Sequence, residues 1–294
     1  MSADKYLVTG AGGHLGRIVV DALLEAGVGP IIATTRNPAK LADLAARGVD
    51  VRAADFDDPA SLPAAFAGAT RGLLISTDAL DGSDRRLTQH RAAVAAAEAA
   101  GLGHLAYLSA PAPYPTPGPS LIADHYWTEQ ALAASGLGWT ILRDHIYTDY
   151  LLMSLPHAVQ TGQLFSATGK GARNFVLRAD CARTAAAVLA SDFTGRQILD
   201  VTGPSPLTFD ELAALTGEIA GKPVQHIAVP AEGLTQGLVG AGVPPFMAEQ
   251  LVAFDVDASK GFHAITTSVV KDWTGREPGS VRDFLVANRA ALVG

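Results

Sequence analysis

Short apolar runs and amphipathic stretches alternate along the first half of the chain. Residues 5–8 form an apolar run that enters Thr9-Gly10-Ala11-Gly12-Gly13-His14-Leu15-Gly16-Arg17, after which Leu15, Ile18, Val19, Ala22 and Leu23 recur at helical spacing. Residues 31–35 are apolar and β-branched. Residues 50–54, 72–76, 104–109 and 139–143 read as further strands, and residues 38–47, 59–67, 85–100 and 121–135 as the helices between them. Six strands joined by helices of this length predict an α/β fold with a doubly wound, mostly parallel sheet of the Rossmann type. Beyond Tyr147 the alternation loosens. Thr208-Phe209-Asp210-Glu211 has the form of a capping box opening a helix to about residue 220. Residues 224–229 read as a strand, and 245–254 and 280–292 as helices. The expected organisation is a nucleotide-binding domain over residues 1–146 and a smaller mixed substrate-side region over 147–294, from which the sheet has room to recruit a strand.

The first turn carries the chemistry. Glycines at 10, 13 and 16 match what a dinucleotide pyrophosphate requires: a tight turn at Gly10, close approach of bare backbone at Gly13, and close helix–strand packing at Gly16. The helix that follows presents unpaired N–H groups and the positive end of its dipole to an anion. The second strand bears on which nicotinamide cofactor fits. It ends at Arg36-Asn37-Pro38, with Lys40 about a turn later and no carboxylate where NAD-binding chains hold the adenosine ribose. A guanidinium grips a 2′-phosphate through paired charged N–H bonds, so NADPH is the expected cofactor. The alternative is a solvated loop charge at Arg36.

Composition narrows the class. A chain of 294 residues with 48% hydrophobic and 17% charged residues is an ordinary well-packed α/β protein, and its net charge of −7, without a basic run, argues against nucleic acid as a partner. One cysteine, Cys181, excludes a disulfide framework. No run approaches 18 consecutive apolar residues and no secretory leader is visible, so the expectation is a cytoplasmic protein with no membrane association. No HExxH, no paired cysteines and no Gly-x-Ser-x-Gly elbow occur, so neither a metal site nor a serine hydrolase is expected. The proline-rich stretch from Pro111 to Pro119, after the fifth strand, serves equally as a rim over the site or as a passive linker.

Thr9–Gly16, Thr35-Arg-Asn-Pro-Ala-Lys40, Gln89-His90-Arg91 and Thr128-Glu129 resemble the atypical short-chain dehydrogenases of the NmrA-like group. Ala167-Thr-Gly-Lys-Gly171, Arg178-Ala-Asp180 and Asp255-Val-Asp-Ala-Ser-Lys-Gly261 sharpen the resemblance to bacterial type 2 NAD(P)H:quinone oxidoreductases, over nearly the whole chain. It implies pyrophosphate contacts from Gly10, Gly13, His14, Leu15 and Gly16, and Arg36 at the 2′-phosphate. It also implies Asp55 and Phe56 near the adenine and Ser76 and Thr77 along the ribose and nicotinamide path. Arg143, Asp144, His145 and Tyr147 would face the nicotinamide and substrate. Asp144-His145 departs from the small polar residue and glycine of the group.

The standard short-chain dehydrogenases use a Tyr activated by a Lys four residues later, and none of the six tyrosines here has one. Tyr126 precedes Gln130, which carries no charge to lower a phenol's pKa, and packing beside Trp127 is its simpler role. His125 is the candidate proton donor or orienter of the substrate oxygen, with a local hydrogen bond at the helix start as its alternative. Ser109 is the candidate donor to a substrate carbonyl, or a cap for the loop. The reading is an NADPH-dependent oxidoreductase that passes hydride to a quinone or similar planar acceptor, a small-molecule enzyme that is a monomer or homodimer. The rivals are a non-catalytic NADP(H)-sensing regulator and a reductase of a ketone, imine or activated C=C bond.

Overall fold

In the computed structural model, which describes residues 4–294, the chain runs β1 (Tyr6–Val8), α1 (His14–Glu25), β2 (Ile31–Thr35), α2 (Ala42–Ala46), β3 (Asp50–Ala53), α3 (Leu62–Phe66), β4 (Arg71–Leu74), α4 (Arg85–Ala99), β5 (His104–Ser109), α5 (Leu121–Ala134) and β6 (Gly138–Asp144). It continues through β7 (Ile146–Tyr147), α6 (Leu151–Thr161), β8 (Gln163–Ser166), β9 (Ala172–Val176), α7 (Arg178–Ala190) and β10 (Arg196–Val201). The last part holds β11 (Pro206–Thr208), α8 (Phe209–Ala220), β12 (Gln225–Ala228), α9 (Ala231–Gly240), α10 (Pro245–Ser259), α11 (Val269–Thr274), α12 (Val281–Ala287) and α13 (Arg289–Val293). Two compact units emerge: one runs through Arg143 and takes in Cys181–Asp200, the other holds Asp144–Asp180 and Val201–Gly294. Segment 181–200 follows the loss of strand–helix alternation along the chain and nevertheless belongs to the first unit.

The first unit is built on a seven-stranded sheet in the order β10-β6-β5-β4-β1-β2-β3. The strands from β6 to β3 pair in parallel, with Val8 opposite Ala33 on one side and Leu73 on the other. β4 and β5 are buried along their whole length, as strands covered on both faces must be. Leu7, Ile32, Phe66, Leu74, Leu105 and Tyr107 lie in one core cluster, and Phe56 packs against it. Arginines tie helix ends to the sheet. Buried Arg71 on β4 donates to Leu189 O in the last turn of α7 at 2.9 Å and to Phe193 O just past it at 3.0 Å, and Arg196 at the start of β10 donates to Ser135 O at 2.6 Å, just beyond α5. The order reverses between β1 and β4: the chain winds outward from β1 through β3, then crosses back to β4. In open sheets of this kind, ligands bind outside the carboxyl ends of the strands at that reversal.

The second unit has its own core, in which Leu155, Phe175, Leu212 and Leu285 are among the buried residues. β11, β9 and β7 form one small sheet, and β12 pairs in parallel with β8. The capping box read from sequence is present: Thr208 Oγ1 accepts the Glu211 N–H, and the Glu211 carboxylate accepts the Thr208 N–H. Two glycine-bearing motifs brace each other. Asp255 accepts the Ala167 N–H at 2.7 Å and pairs with Arg173 at 2.5 Å, while a Cβ at Gly171 would overlap the Ala258 carbonyl. Among the described residues, no helix is long and apolar enough to cross a membrane.

Candidate functional site

The turn between β1 and α1 opens at the reversal point. Gly10 sits at φ +61°, a conformation glycine adopts without strain. At Gly16 a Cβ would overlap the Gly10 carbonyl oxygen and stand 2.9 Å from Ala11 Cα, so α1 approaches the turn closely only because that methyl is missing. Gly13, the N-cap of α1, makes no side-chain cap, which leaves the N–H groups of the first helical turn aimed past the helix end. The segment after β4 faces the same opening. The Ile75 N–H donates to Thr9 Oγ1 at 3.0 Å, the Ile75 side chain packs where a Gly10 Cβ would point, and the Ser76 hydroxyl donates to Leu108 O at 2.6 Å.

The second strand delivers Arg36 to this rim. The Ala11 N–H donates to Thr34 O at 3.0 Å, and a Cβ on Gly12 would stand 3.0 Å from Thr35 Oγ1, so the glycine turn and the end of β2 are neighbours. The Arg36 side chain is 64% exposed and meets Asp78 at 3.6 Å, a surface pair that holds it weakly. At the end of β3, Asp55 Oδ1 accepts the Asp57 N–H at 3.0 Å and Phe56 lies half-buried. Asp57 binds α4 through Arg85 and through Gln89 Nε2 at 2.7 Å, and the Arg85 guanidinium holds its carboxyl down at about 2.

Two expected roles are corrected by burial. His125 is 8% exposed, with Nδ1 2.8 Å from the Tyr107 hydroxyl and Nε2 3.1 Å from an Arg86 guanidinium nitrogen. Burial, and then the charge of Arg86, push its pKa well below the usual histidine value, so the ring is neutral and both nitrogens are bonded inside the unit. A proton donor to substrate needs the opposite on both counts. Ser109 is likewise buried and donates to Glu129 Oε1 at 2.7 Å; that carboxylate also takes Arg143 in a two-pronged pair at 3.0 and 2.7 Å. The Ser109 proton and the Arg143 guanidinium are therefore committed to Glu129.

In the second unit, Asp144 and His145 are buried, and Asp144 Oδ2 accepts the Tyr147 hydroxyl at 2.9 Å. The Arg178 guanidinium lies 5.4 Å from the centroids of both Tyr147 and Tyr150, and Asp149 binds its backbone N–H at 3.0 Å. The Tyr147 phenol is thus turned toward Asp144 while its ring supports an aromatic pair. A separate chain runs from Asp210 Oδ1 to His226 Nδ1 at 2.7 Å and from His226 Nε2 to Ser166 Oγ at 2.8 Å. Its connectivity is that of a hydrolase relay, but Ser166 is 0% exposed and no reacting carbonyl could reach its oxygen.

Comparison with known proteins fits this geometry. A family described as NAD(P)H-binding matches residues 10–192. Quinone oxidoreductase 2 of Escherichia coli strain K12 is 36% identical over 255 residues, covering 86% of this chain and 88% of that protein. The chain belongs to the NAD(P)H-binding family. Among solved structures, the Escherichia coli NADPH-dependent quinone oxidoreductase in complex with NADPH superposes with a TM-score of 0.89 at 33% identity, covering 96% of this chain and 99% of that one. The Citrobacter triphenylmethane reductase complexed with NADP(H) reaches a TM-score of 0.86 at 34% identity, covering 97% and 100%. By this kinship the chain is an NAD(P)H-dependent oxidoreductase of α/β Rossmann-like fold.

The family's nucleotide fits the residues present. The cradle at Gly10–Gly16 is one that a side chain would fill, and an uncapped helix start faces it. Reading the sequence alone missed Thr9, whose hydroxyl holds Ile75, and Gly12, which lets the turn lie against β2. It also gave no role to Arg86, nor to His90 beyond the Gln89-His90-Arg91 motif, and these two side chains grip the backbone of Thr77. Arg86 and His90 stand among Arg85, Thr88, Gln89 and Arg91 in the polar first half of α4, so spacing alone does not single them out.

Proposed function

We propose that this protein oxidises NADPH and reduces quinones. The observation that carries the cofactor half is the bare glycine cradle at the sheet reversal beside Arg36, with no carboxylate at the end of β2. NADPH, when bound, supplies hydride. Gly10, Gly13, His14, Leu15 and Gly16 would hold the pyrophosphate against bare backbone, and Arg36 would take the 2′-phosphate. Asp55 and Phe56 would border the adenine, and Ser76 and Thr77 the ribose and nicotinamide. Each of these groups binds or orients; none needs to change protonation.

The acceptor half rests on where the protons are. His125, Tyr107 and Ser109 are buried and bonded within the first unit, and the Tyr147 hydroxyl donates to Asp144. A ketone needs a placed acid to protonate its developing alkoxide. A quinone does not, because the hydroquinone anion is stabilised by its own aromaticity. One hydride and one proton from water convert quinone to hydroquinone and leave NADP⁺. The named reactions of the two relatives, on a quinone and on a triphenylmethane dye, both have conjugated acceptors.

The test is NADPH consumption with a panel of 1,4-benzoquinone, a naphthoquinone, a triphenylmethane dye and simple ketones. Quinone turnover exceeding ketone turnover by at least about 100-fold is the expected outcome, on the scale of one missing general acid. Ketone turnover at quinone-like rates would mean that a proton donor operates and would overturn the acceptor assignment.

A further inference from the structure

Thr77 follows the exit of β4, and side chains of α4 take both of its backbone groups. Its N–H donates to His90 Nε2 at 3.0 Å and its carbonyl accepts from Arg86 Nε at 3.0 Å. Arg86 and His90 stand four apart, on one face of the helix. His90 is 0% exposed and Arg86 4%.

Donor and acceptor chemistry assigns the protons. A peptide N–H only donates, so His90 Nε2 is an acceptor and its proton rests on Nδ1, facing Thr128 Oγ1 at 3.0 Å; the Thr128 hydroxyl passes on to Asp124 O at 2.6 Å. A guanidinium only donates, so His125 Nε2 accepts from Arg86 and His125 Nδ1–H faces the Tyr107 oxygen. Burial first, and the Arg86 charge second, keep the His90 ring neutral, the form that accepts a bond from Thr77. The nearest carboxylate to Arg86, Asp124, lies 3.5 Å from its other terminal nitrogen.

Burying a cation and two imidazoles is costly, and apolar side chains would fill the same volume at lower cost. What the polar arrangement adds is a grip on both peptide units that flank the Thr77 Cα. With Ile75 on Thr9 and Ser76 on Leu108, three consecutive residues beside the glycine turn are pinned.

We infer that Arg86 and His90 are positioning residues that fix the Ser76–Thr77 backbone as the wall of the nicotinamide half of the cofactor site. This rests on the NADPH reading above. The adenosine half is held by other elements, the glycine turn and Arg36, so loss of the clamp should separate the two halves.

The experiment compares His90→Asn with His90→Gln. The Asn amide occupies the Nδ1 position, keeps the Thr128 contact and falls short of Thr77, whereas the Gln amide oxygen reaches the Nε2 position. Four quantities are measured: affinity for 2′,5′-ADP (the adenosine half alone), affinity for NADP⁺, kcat for NADPH oxidation, and melting temperature. His90→Asn should bind 2′,5′-ADP within about twofold of wild type, lose the extra affinity that NADP⁺ has over it, and drop kcat roughly 10- to 100-fold. His90→Gln should recover most of both losses. Should the Asn variant not fold, Arg86→Lys, which keeps the cation and removes Nε, carries the same comparison. Wild-type kcat and NADP⁺ affinity in His90→Asn would overturn the inference, as would a parallel fall in 2′,5′-ADP affinity and melting temperature. If the wild type binds both nucleotides but oxidises no NADPH, the functional reading fails, and the ratio of the two affinities still decides the clamp.

Discussion

Gly16→Ala should abolish measurable NADPH binding and destabilise the fold by about 3 kcal/mol, the upper range for an overpacked site. The added methyl would overlap the Gly10 carbonyl and press on Ala11 Cα at 2.9 Å, and both are backbone atoms of the turn that forms the cradle. Neither can swing aside as a side-chain tip would. Relief requires α1 to move outward from β1, which carries the first-turn N–H groups away from the phosphates. Gly13→Ala separates binding from folding. Gly13 has φ −87°, ordinary for any residue, and its Cβ would rest 3.4 Å from the Gly10 oxygen. The chain tolerates that methyl, but the methyl stands at the mouth of the cradle. The Gly13 variant should therefore melt near the wild-type temperature and still bind NADPH at least about tenfold more weakly, the scale of a misplaced ligand contact. Calorimetric melting with a nucleotide-fluorescence titration reads both properties, and a Gly16→Ala variant that binds normally would remove the close-packing argument.

Arg36→Glu should shift the ratio of kcat/KM for NADPH to that for NADH by at least about 100-fold toward NADH. A guanidinium–phosphate pair contributes about 1.5–3 kcal/mol of hydrogen bonding, and a carboxylate in its place repels the same phosphate. The new carboxylate would also stand where NAD-binding chains accept from the ribose hydroxyls. Folding should be indifferent to the change: Arg36 is an exposed residue whose ion partner, Asp78, is itself 84% exposed. A melting temperature within a few degrees of wild type is therefore part of the expected result. Unchanged selectivity would take Arg36 out of the role and leave Lys40 as the cation to examine.

The parts of this protein that sequence made legible are those whose physics is local. Strand, glycine turn and helix are visible because turn geometry and phosphate approach impose residue types within a dozen positions. The helix start at Thr208 is visible because its cap closes over three residues. What escaped depends on burial and on return. The large sheet takes β10 from the region beyond residue 147, for which the sequence left room, but only tertiary packing decides that this segment is the one beside β6. α6 carries Pro156 in its interior, a residue type that argues locally against a helix there. At the site, His125 and Ser109 are polar residues at element ends, which from sequence suggests access to a ligand. The fold instead turns both inward, onto Tyr107 and Glu129. Polar networks of this kind join α4, α5 and β5 across tens of residues, and no spacing rule foretells which nitrogen meets which oxygen.

The Asp144-His145 pair, a departure from the resembling group, is buried in the second unit, and Asp144 orients the Tyr147 phenol.

The most direct measurement is the initial rate of NADPH oxidation by wild-type protein with 1,4-benzoquinone under anaerobic conditions, with NADH run in parallel and hydroquinone quantified. The account predicts one hydroquinone formed per NADPH consumed, with NADPH favoured over NADH by at least about tenfold in kcat/KM, the difference of one charge-assisted phosphate contact. Tight NADPH binding without turnover of any quinone, or equal use of NADH, would contradict it.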